Sequence, residues 1–348
     1  MIKRLIDLSS DTATRPGAAM RKAMADAPCG DEQRGEDPST RALEERVAQL
    51  LGKEAAVFLP SGTMCNQIAL AVHCRPGDEV IASDFSHIFN FEVGGVAAIS
   101  GAQIHPIPHV RGIFTAEAVE NSIRPTNLRH YPRTRVVAIE QTMNLGGGSV
   151  WSQSEIDDVA KVARRHGLIL HMDGARLPNA VTATGVSAER QCRDCDTTWL
   201  DLSKGLGCPV GGVLAGSRAF IEEAWRWKHR LGGALRQSGI LAAAGLYALD
   251  NNWDRLAEDH VAAKRFASLI ADIPGVRLTF DRIDTNIVYF DVADTGLAAA
   301  ETSRRLGAEG VRIGAMGPTR MRAVTHLDVN LAEVERAASA LRVVVSGV

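Results

Sequence analysis

The sequence predicts an α/β protein with a mainly parallel sheet, followed by a smaller α+β domain. Short apolar runs alternate with helical patterns between residues 55 and 215, which is typical of strands joined by crossover helices. From about residue 250, strand and helix patterns follow one another in a mixed order. We therefore predict an N-terminal arm over 1–15, a large domain over 16–249 and a small C-terminal domain over 250–348.

The composition is that of a globular chain, and it argues against several kinds of partner. The 348 residues carry a formal net charge of -2, which gives no electrostatic basis for binding nucleic acid or an anionic membrane. We find no signal peptide and no apolar run long enough to span a membrane, so we expect a cytoplasmic protein. The six cysteines are scattered, and the lone pair Cys192 and Cys195 predicts neither a disulfide framework nor a metal site.

A candidate anion site follows the first strand of the predicted sheet. The apolar run 55–60 leads through Ser61, Gly62 and Thr63 into a helix that continues to about residue 73. The first N–H groups of a helix have no partner within the helix, so a strand–turn–helix of this kind suits a phosphate group. The pattern by itself is weak, because many helices begin with serine or threonine.

A histidine lies after the next predicted strand, 79–83, on the ligand side of the sheet. His87 stands there at the start of a helix. Its imidazole could stack on an aromatic ring and take part in proton transfer, although a histidine without any role is an equal alternative from the sequence. A further strand over 135–140 ends in a glycine-rich loop that contains Met143.

Two later strands end in residues that carry recognisable chemistry. The run from residue 168 ends in Asp173 and Arg176, and the run 197–202 is followed by Lys204 among glycines. The carboxyl ends of parallel strands meet at one edge of a sheet, so Asp173 and Lys204 are expected in one crevice. A lysine that forms a Schiff base and an acid that holds a pyridinium nitrogen are the pair that pyridoxal phosphate needs. Lys204 taken alone is also compatible with an ordinary surface lysine.

Helix caps and strand patterns complete the assignment. Three helix starts are recognisable: Ser39 before 40–51, the capping box of Ser152 and Glu155 before 156–166, and Asn330 with Glu333 before 331–345. Beyond residue 215 we predict helices over 218–271 with an interruption at 232–236, another helix near 296–306, and strands at 276–280, 285–290 and 321–325.

Ordered motifs along nearly the whole chain resemble those of one enzyme family. They lie at residues 7–12, 30–31, 35–38, 52–56, 61–63, 171–176, 202–207, 236–245 and 324–328. Together they resemble the L-threonine aldolases, which are pyridoxal phosphate (PLP) enzymes of the aspartate aminotransferase superfamily, fold type I. The resemblance implies a large domain with a mainly parallel, seven-stranded sheet. It also implies a homotetramer, a dimer of dimers, whose active sites are shared between subunits.

The resemblance further implies a role for individual residues. Lys204 would bind PLP covalently and Asp173 would pair with its ring nitrogen, while His87 would stack on the ring. Phosphate contacts would come from the Ser61, Gly62 and Thr63 turn, and the remaining cofactor contacts from Ser203, Arg176 and, from a neighbouring subunit, Arg236. Ser10, Arg176 and Arg322 would bind the substrate carboxylate. The implied reaction is cleavage of an L-β-hydroxy-α-amino acid to glycine and an aldehyde, with His87 or a water as the base.

The sequence departs from the family pattern at two positions. Met143 stands where a histidine is common, and Arg34 stands where an aromatic residue is common; we expect both on the substrate side of the site. We expect Met143 to make the substrate pocket more apolar and to favour phenylserine over threonine; the alternative is that Met143 points into the core. The other reactions open on this scaffold are transamination, racemisation and β-elimination, and a non-catalytic PLP-binding protein is the remaining alternative.

Overall fold

The computed structural model describes residues 5–347 of the chain. Its strands are β1 (Ile6–Asp7), β2 (Ala55–Leu59), β3 (Asp78–Ala82), β4 (Gln103–Pro106), β5 (Arg133–Glu140), β6 (Ile169–Asp173), β7 (Thr197–Asp201), β8 (Gly212–Gly216), β9 (Arg277–Leu278), β10 (Ile287–Asp291), β11 (Val311–Arg312), β12 (Gly314–Ala315) and β13 (Arg320–Val324). Its α-helices are α1 (Ala18–Ala25), α2 (Pro38–Leu50), α3 (Gly62–His73), α4 (His87–Asn90), α5 (Ala116–Ser122), α6 (Gln153–Arg165), α7 (Leu177–Thr184), α8 (Ala188–Cys192), α9 (Arg218–Arg230), α10 (Gly239–Asn251), α11 (Leu256–Ala271), α12 (Ala299–Ala308) and α13 (Leu331–Ser346).

The main sheet has seven strands in the order β2-β8-β7-β6-β5-β3-β4. Strand β8 runs antiparallel to both of its neighbours, and the other pairings are parallel. The predicted mainly parallel sheet is therefore confirmed. Strand β4 was not predicted, because its four residues carry only a weak apolar pattern and half of them are exposed.

Strand direction explains how distant parts of the chain reach one edge of this sheet. Because β8 is antiparallel to both β2 and β7, those two strands run in the same direction as the rest of the parallel group. The carboxyl ends of β2, β3, β6 and β7 therefore share one edge. The residues that follow them, among them Ser61, His87 and Lys204, are brought together there as the strand pattern predicted.

Both faces of the main sheet are buried, which is why its strands read as continuous apolar runs. Neighbouring side chains on one strand enter different apolar clusters on opposite faces. On β2, Val57 lies in one cluster and Phe58 in another, and on β7 Trp199 and Leu200 divide in the same way. The sheet is thus a rigid layer between helices, and its edge can hold side chains in fixed positions.

A second, antiparallel sheet has the order β12-β13-β10-β9 and packs on α11, α12 and α13. Its core includes Phe266 and Phe290, and it also takes in Ile6 and Leu8 from the beginning of the chain. Strand β1 pairs with β11, so the predicted arm is anchored in this unit instead of extending freely. The domain boundaries at residues 15 and 249 remain predictions. Leu256 in α11 lies beyond the second boundary but still belongs to the core of the main sheet.

One predicted helix start is corrected by the structure. Helix α2 begins at Pro38, and its cap is Asp37, whose Oδ1 accepts a hydrogen bond from the Thr40 N–H at 2.9 Å. Ser39 lies inside the helix, and its hydroxyl donates to the carbonyl of Pro28 at 2.8 Å. Proline suits the first helical position because its φ is already helical and its missing N–H needs no partner there. The capping boxes at 152–155 and 330–333 are confirmed.

The helices of the described chain were compared with the length and apolar character that a membrane span requires. Among residues 5–347, no helix is both long enough and apolar enough to cross a bilayer.

Gly174 is a test of how tightly the end of β6 is packed. A methyl group at 174 would collide with the backbone carbonyl of Trp199 on β7, so Gly174→Ala should destabilise the fold by about 1–3 kcal/mol. The matched control is Gly307→Ala in α12, where a methyl group meets no atom within 4 Å. Urea unfolding should show a loss only for the first variant; equal midpoints for both would contradict the packing described here.

Candidate active site

A cavity of about 440 Å³ lies at the carboxyl edge of the main sheet. Most of the predicted site residues line it: Ser10, Ser61, Gly62, Thr63, His87, Asp173, Arg176, Ser203, Lys204 and Arg322. Met143, Arg34 and Arg236 do not. The cavity also takes in residues that the sequence did not single out, including Glu140, Asn144 and Asp201.

Lys204 is held by an acid that ends the preceding strand. Its Nζ lies 2.5 Å from Oδ2 of Asp201 and 5.6 Å from the centre of the Trp199 ring. Oδ1 of Asp201 accepts hydrogen bonds from the backbone N–H and the hydroxyl of Ser203, at 2.8 and 2.9 Å. Ser203 therefore supports the counter-ion of the lysine. The signal missed in the sequence is an aspartate inside an otherwise apolar strand, three residues before a lysine.

Lys204 is not the only lysine that is withdrawn from water in the described chain. Lys228 on α9 is fully buried, with Nζ 2.9 Å from Oε1 of Glu32 and 4.2 Å above the Trp225 ring. Burial lowers the pKa of Lys228. Lys228 lies outside the cavity. Its burial was not predicted from the sequence, because it falls within an amphipathic helical pattern. Desolvation alone thus does not identify the reactive lysine; its position among other polar groups does.

Asp173 ends β6 deep in the cavity, and its carboxylate is held in place by two donors. Oδ2 accepts from the amide of Asn66 at 2.7 Å, and Oδ1 accepts from the backbone N–H of Ala175 at 2.9 Å. Burial raises the pKa of Asp173, so the ionised carboxylate is disfavoured until a nearby positive charge compensates it. A protonated ring nitrogen is such a charge.

Asn66, on α3, connects several buried groups behind the cavity. Its Oδ1 accepts from Trp199 Nε1 at 2.8 Å and from His171 Nε2 at 3.1 Å, which fixes the orientation of the amide. Burial lowers the pKa of His171 to about 3, so this ring is neutral and donates through Nε2. The amide N–H₂ of Asn66 is then directed toward two carboxylates, Asp173 and Glu92. No pattern in the sequence distinguished Asn66, which is an asparagine within a buried helix.

His87 occupies the first turn of α4 and is surrounded by acids. Its backbone N–H donates to Oε2 of Glu140 at 2.7 Å, and its ring Nδ1 donates to Oε1 of Glu92 at 2.9 Å. Burial alone would lower the pKa of His87, but the bond to Glu92 and the charges of Asp173 and Glu140 outweigh it and raise that pKa. The ring is therefore a ready proton carrier at the mouth of the cavity.

Glu140 lies beside Asp173, because the two residues are paired across β5 and β6. One oxygen of Glu140 accepts from the backbone of His87 and the other from the backbone of Asn144 at 2.8 Å. Burial and the charge of Asp173 raise the pKa of Glu140 to about 7. The cavity thus contains two neighbouring acids whose combined charge favours retention of a proton.

The two predicted carboxylate-binding arginines differ in what they already bind. Arg176 makes a buried, bidentate pair with Asp11, at 2.6 and 2.8 Å. Burial alone would raise the pKa of Asp11, but this guanidinium holds it well below its usual range. Arg322 instead donates to neutral acceptors, Asn144 Oδ1 at 2.9 Å and the Ser9 carbonyl at 3.1 Å. Within residues 5–347 it makes no ion pair, so its charge remains for an anion.

The anion site that the sequence predicted lies at the start of α3, which borders the cavity. Ser61 is the N-cap, and its hydroxyl oxygen accepts from the backbone of Met64 at 3.2 Å. A methyl group at Gly62 would overlap the ring of Trp199, so glycine is required for the turn to pack there. The N-terminus of a twelve-residue helix thereby opens into the cavity beside Thr63.

Comparison with known proteins decides the family. Residues 7–294 match the beta-eliminating lyase family. Low-specificity L-threonine aldolase 1 of Arabidopsis thaliana is 41% identical over 338 residues, covering 96% of this chain and 94% of its own. The low specificity L-threonine aldolase of Escherichia coli (strain K12) is 42% identical over 334 residues, covering 95% and 97%. The chain belongs to the low-specificity L-threonine aldolase family.

Solved structures support the fold class. A putative L-allo-threonine aldolase from Listeria monocytogenes superposes with a TM-score of 0.80 at 23% identity, covering 98% of this chain and 97% of its own. The threonine aldolase of Leishmania major gives a TM-score of 0.83 at 20% identity, covering 98% and 99%. Both superpose over nearly the whole chain, so the predicted fold class is confirmed.

The residues of this cavity fit PLP. A lysine amine, a buried carboxylate and the N-terminus of α3 converge on one cavity, and they match the carbonyl, ring nitrogen and phosphate of the cofactor. Gly62 lies so close to the ring of Trp199 that no side chain fits there, which leaves the backbone of the turn bare of a side chain at this position. The donor set is thus one that this family's cofactor requires.

Met143, which takes the position of a common family histidine, does not reach the cavity. Its side chain is 1% exposed and belongs to the apolar cluster that contains Phe114 and Trp151. The prediction that Met143 contacts substrate is therefore corrected, and its alternative, a core methionine, holds. A thioether has no strong hydrogen-bonding group that would favour a polar cavity over this apolar surrounding. Asn144, the next residue, faces the cavity instead.

Arg34 and Arg236 lie on the surface, away from the cavity of their own chain. Both approach Asp31, at 3.9 and 2.8 Å. The two segments that carry them are joined by Glu32, which accepts from the backbone N–H of Leu235 at 2.5 Å. Contact with PLP or substrate would require another subunit, so their predicted roles stay predictions.

The raised pKa of Glu140 has a measurable consequence for stability in the cofactor-free protein. With a pKa of about 7, against 4.5 for an ordinary glutamate, folded Glu140 binds a proton that the unfolded chain has released. The free energy of unfolding should therefore fall as pH rises from about 4.5 to 7. Glu140→Gln removes this contribution and should gain on the order of 3 kcal/mol relative to wild type between pH 4.5 and 8.

Urea unfolding at several pH values measures this difference, with Glu45→Gln on the exposed face of α2 as the control. A constant difference between wild type and Glu140→Gln across that range would show that Glu140 ionises normally.

Proposed function

We propose that this protein is a PLP-dependent aldolase that cleaves L-β-hydroxy-α-amino acids, L-threonine and L-allo-threonine among them, to glycine and an aldehyde. The observation that carries the proposal is the convergence of Lys204, Asp173 and the start of α3 on one cavity, in a chain of the low-specificity L-threonine aldolase family. When bound, PLP supplies an electron sink that weakens the bond between Cα and Cβ of the amino acid.

The residues of the chain divide the remaining work. Lys204 holds the cofactor covalently, and Asp173 keeps a proton on the ring nitrogen because its own environment favours a positive neighbour. Arg322 binds the carboxylate of the amino acid, since its charge is not used by an acid of the described chain. Arg176, already paired with Asp11, orients that end of the cavity. Fixing the carboxylate sets the orientation of the bond to be broken.

A base must accept the proton of the β-hydroxyl group. We assign this role to His87, acting directly or through a water, because Met143 is buried and offers no basic atom. Nδ1 of His87 is bound to Glu92, so Nε2 is the ring atom left to accept a proton from substrate. Glu140 borders the same cavity and can exchange protons with it near neutral pH.

We also propose that the active enzyme is a homotetramer with shared sites. Arg34 and Arg236 are exposed on the surface and have one acid, Asp31, between them, so a net positive charge is available to a neighbouring subunit's phosphate. Apolar side chains near the cavity mouth are also exposed, Phe91 at 43% and Val93 at 99%. A cytoplasmic location is supported by six free cysteines, five of them buried.

The function is tested by the products formed from L-threonine with PLP and without any 2-oxo acid. Equal amounts of glycine and acetaldehyde are expected, with no product from Lys204→Ala. Ammonia with 2-oxobutanoate would identify a β-eliminating lyase, and a requirement for a 2-oxo acid would identify an aminotransferase. L-allo-threonine and L-phenylserine, assayed in parallel, define the preferred substrate.

Arg322 provides a second test of the site. Arg322→Leu should raise KM for L-threonine by about tenfold or more while PLP stays bound, because a charge-assisted carboxylate contact is lost. Arg320→Leu is the matched control, since Arg320 lies on the same strand, is exposed and does not line the cavity. An unchanged KM in the first variant would assign the substrate carboxylate to Arg176 and Ser10.

A further inference from the structure

Glu92 is a buried carboxylate behind the cavity, and its oxygens are occupied by three side-chain donors. Oε1 accepts from Asn66 Nδ2 at 2.7 Å and from His87 Nδ1 at 2.9 Å, and Oε2 accepts from Gln67 Nε2. The carboxylate itself is fully buried. It does not line the cavity, and no sequence motif assigned it a role.

The orientation of the Asn66 amide makes Glu92 an acceptor for it. The oxygen of Asn66 is used by Trp199 and His171, so its N–H₂ must face Glu92 and Asp173. Two carboxylates that receive bonds from one amide both act as acceptors. As an acceptor, Glu92 satisfies the amides of Asn66 and Gln67 and can also accept from the ring of His87.

The same carboxylate therefore controls two groups of the site. By accepting a hydrogen bond from Nδ1 of His87, Glu92 selects the neutral tautomer that is protonated at Nδ1. Nε2 then points away from Glu92. Through Asn66 it also fixes the amide that holds Asp173. The other charged groups near His87 are Glu140, which binds its backbone, Asp173 and Lys204 across the cavity. Of these, only Glu92 bonds the imidazole ring.

We propose that Glu92 is a positioning residue. It fixes the imidazole of His87 directly and the carboxylate of Asp173 through Asn66. One buried carboxylate thereby sets the orientation of both the base and the residue that pairs with the cofactor's ring nitrogen. This inference deepens the proposed function and rests on it for the roles of His87 and Asp173. A purely structural role would need Glu92 only to satisfy the amides of α3.

The tautomer of His87 in the wild-type protein is the first test, and it needs no variant of Glu92. Long-range ¹H–¹⁵N spectra of the cofactor-free protein, with the signals of His87 assigned by their loss in His87→Gln, report which ring nitrogen carries the proton. We expect neutral His87 to be protonated at Nδ1 and to titrate above the ordinary pKa of histidine. A neutral ring protonated at Nε2 would overturn the proposal.

The second test compares Glu92→Gln with Glu79→Gln. Glu79 is the matched control because it is also buried and also contacts a histidine, His105 at 3.2 Å, but lies outside the cavity. Glu92→Gln should lower the titration midpoint of His87 and weaken PLP binding by about tenfold or more, the change expected when one buried donor loses its acceptor. In turnover it should lower kcat more than it raises KM.

Glu79→Gln should leave the midpoint of His87 and the affinity for PLP as in wild type, even if it lowers stability. A Glu92→Gln variant with an unchanged His87 midpoint and unchanged PLP affinity would show a structural role only. If that variant does not fold, the tautomer in wild type decides. Because these measurements do not require turnover, failure of the aldol assay alone would remove the proposed reaction and leave the positioning role of Glu92 intact.

Discussion

The cavity depends on keeping several carboxylates charged at a place that is closed to bulk water. A buried carboxylate is costly unless a cation or several hydrogen bonds compensate it. Asp11 is compensated by Arg176 and Asp201 by Lys204, each within 2.6 Å. Asp173 receives neutral donors instead, from Asn66 and the backbone of Ala175, while Glu92 is bonded by Asn66, Gln67 and the ring of His87. The acids without a bound cation thus form an electrostatic environment in which a pyridinium ring is favourable.

Glu140 shows what happens when this compensation is incomplete. It receives only two backbone N–H groups and lies beside Asp173, so its pKa rises to about 7. One proton is then stored at the edge of the sheet close to His87, whose own pKa is raised by the surrounding acids. Buried charges of this kind are unfavourable in an ordinary protein core, but they are common at sites where protons are transferred.

The sequence predicted those parts of the site that follow from strand direction. Asp173 and Lys204 each end or follow an apolar strand, and the carboxyl edge of a sheet brings such positions together without further information. Asn66 and Glu92 were not predicted, because their roles depend on which side chains α3 meets in three dimensions. Met143 was misassigned for a related reason: its place in the chain follows the family, but its side chain is buried in the apolar cluster that contains Phe114 and Trp151. Arg34 and Arg236 lie on the surface of the chain beside Asp31, where they would reach a cavity only in a neighbouring subunit.

The two ends of the cavity are built on different sheets. The main sheet carries Lys204, Asp173 and the start of α3, while Arg322 comes from β13 of the second sheet. The N-terminal arm joins the two, because Asp11 binds Arg176 on one side and accepts from Asn286 on the other at 3.2 Å. The residues proposed to hold the cofactor are thus fixed to one rigid layer, and the residue proposed to hold the substrate carboxylate belongs to another. A change in the packing between the two sheets would move the substrate relative to the cofactor, while the contacts within each sheet stay the same. Substrate preference can therefore change while the cofactor site stays constant.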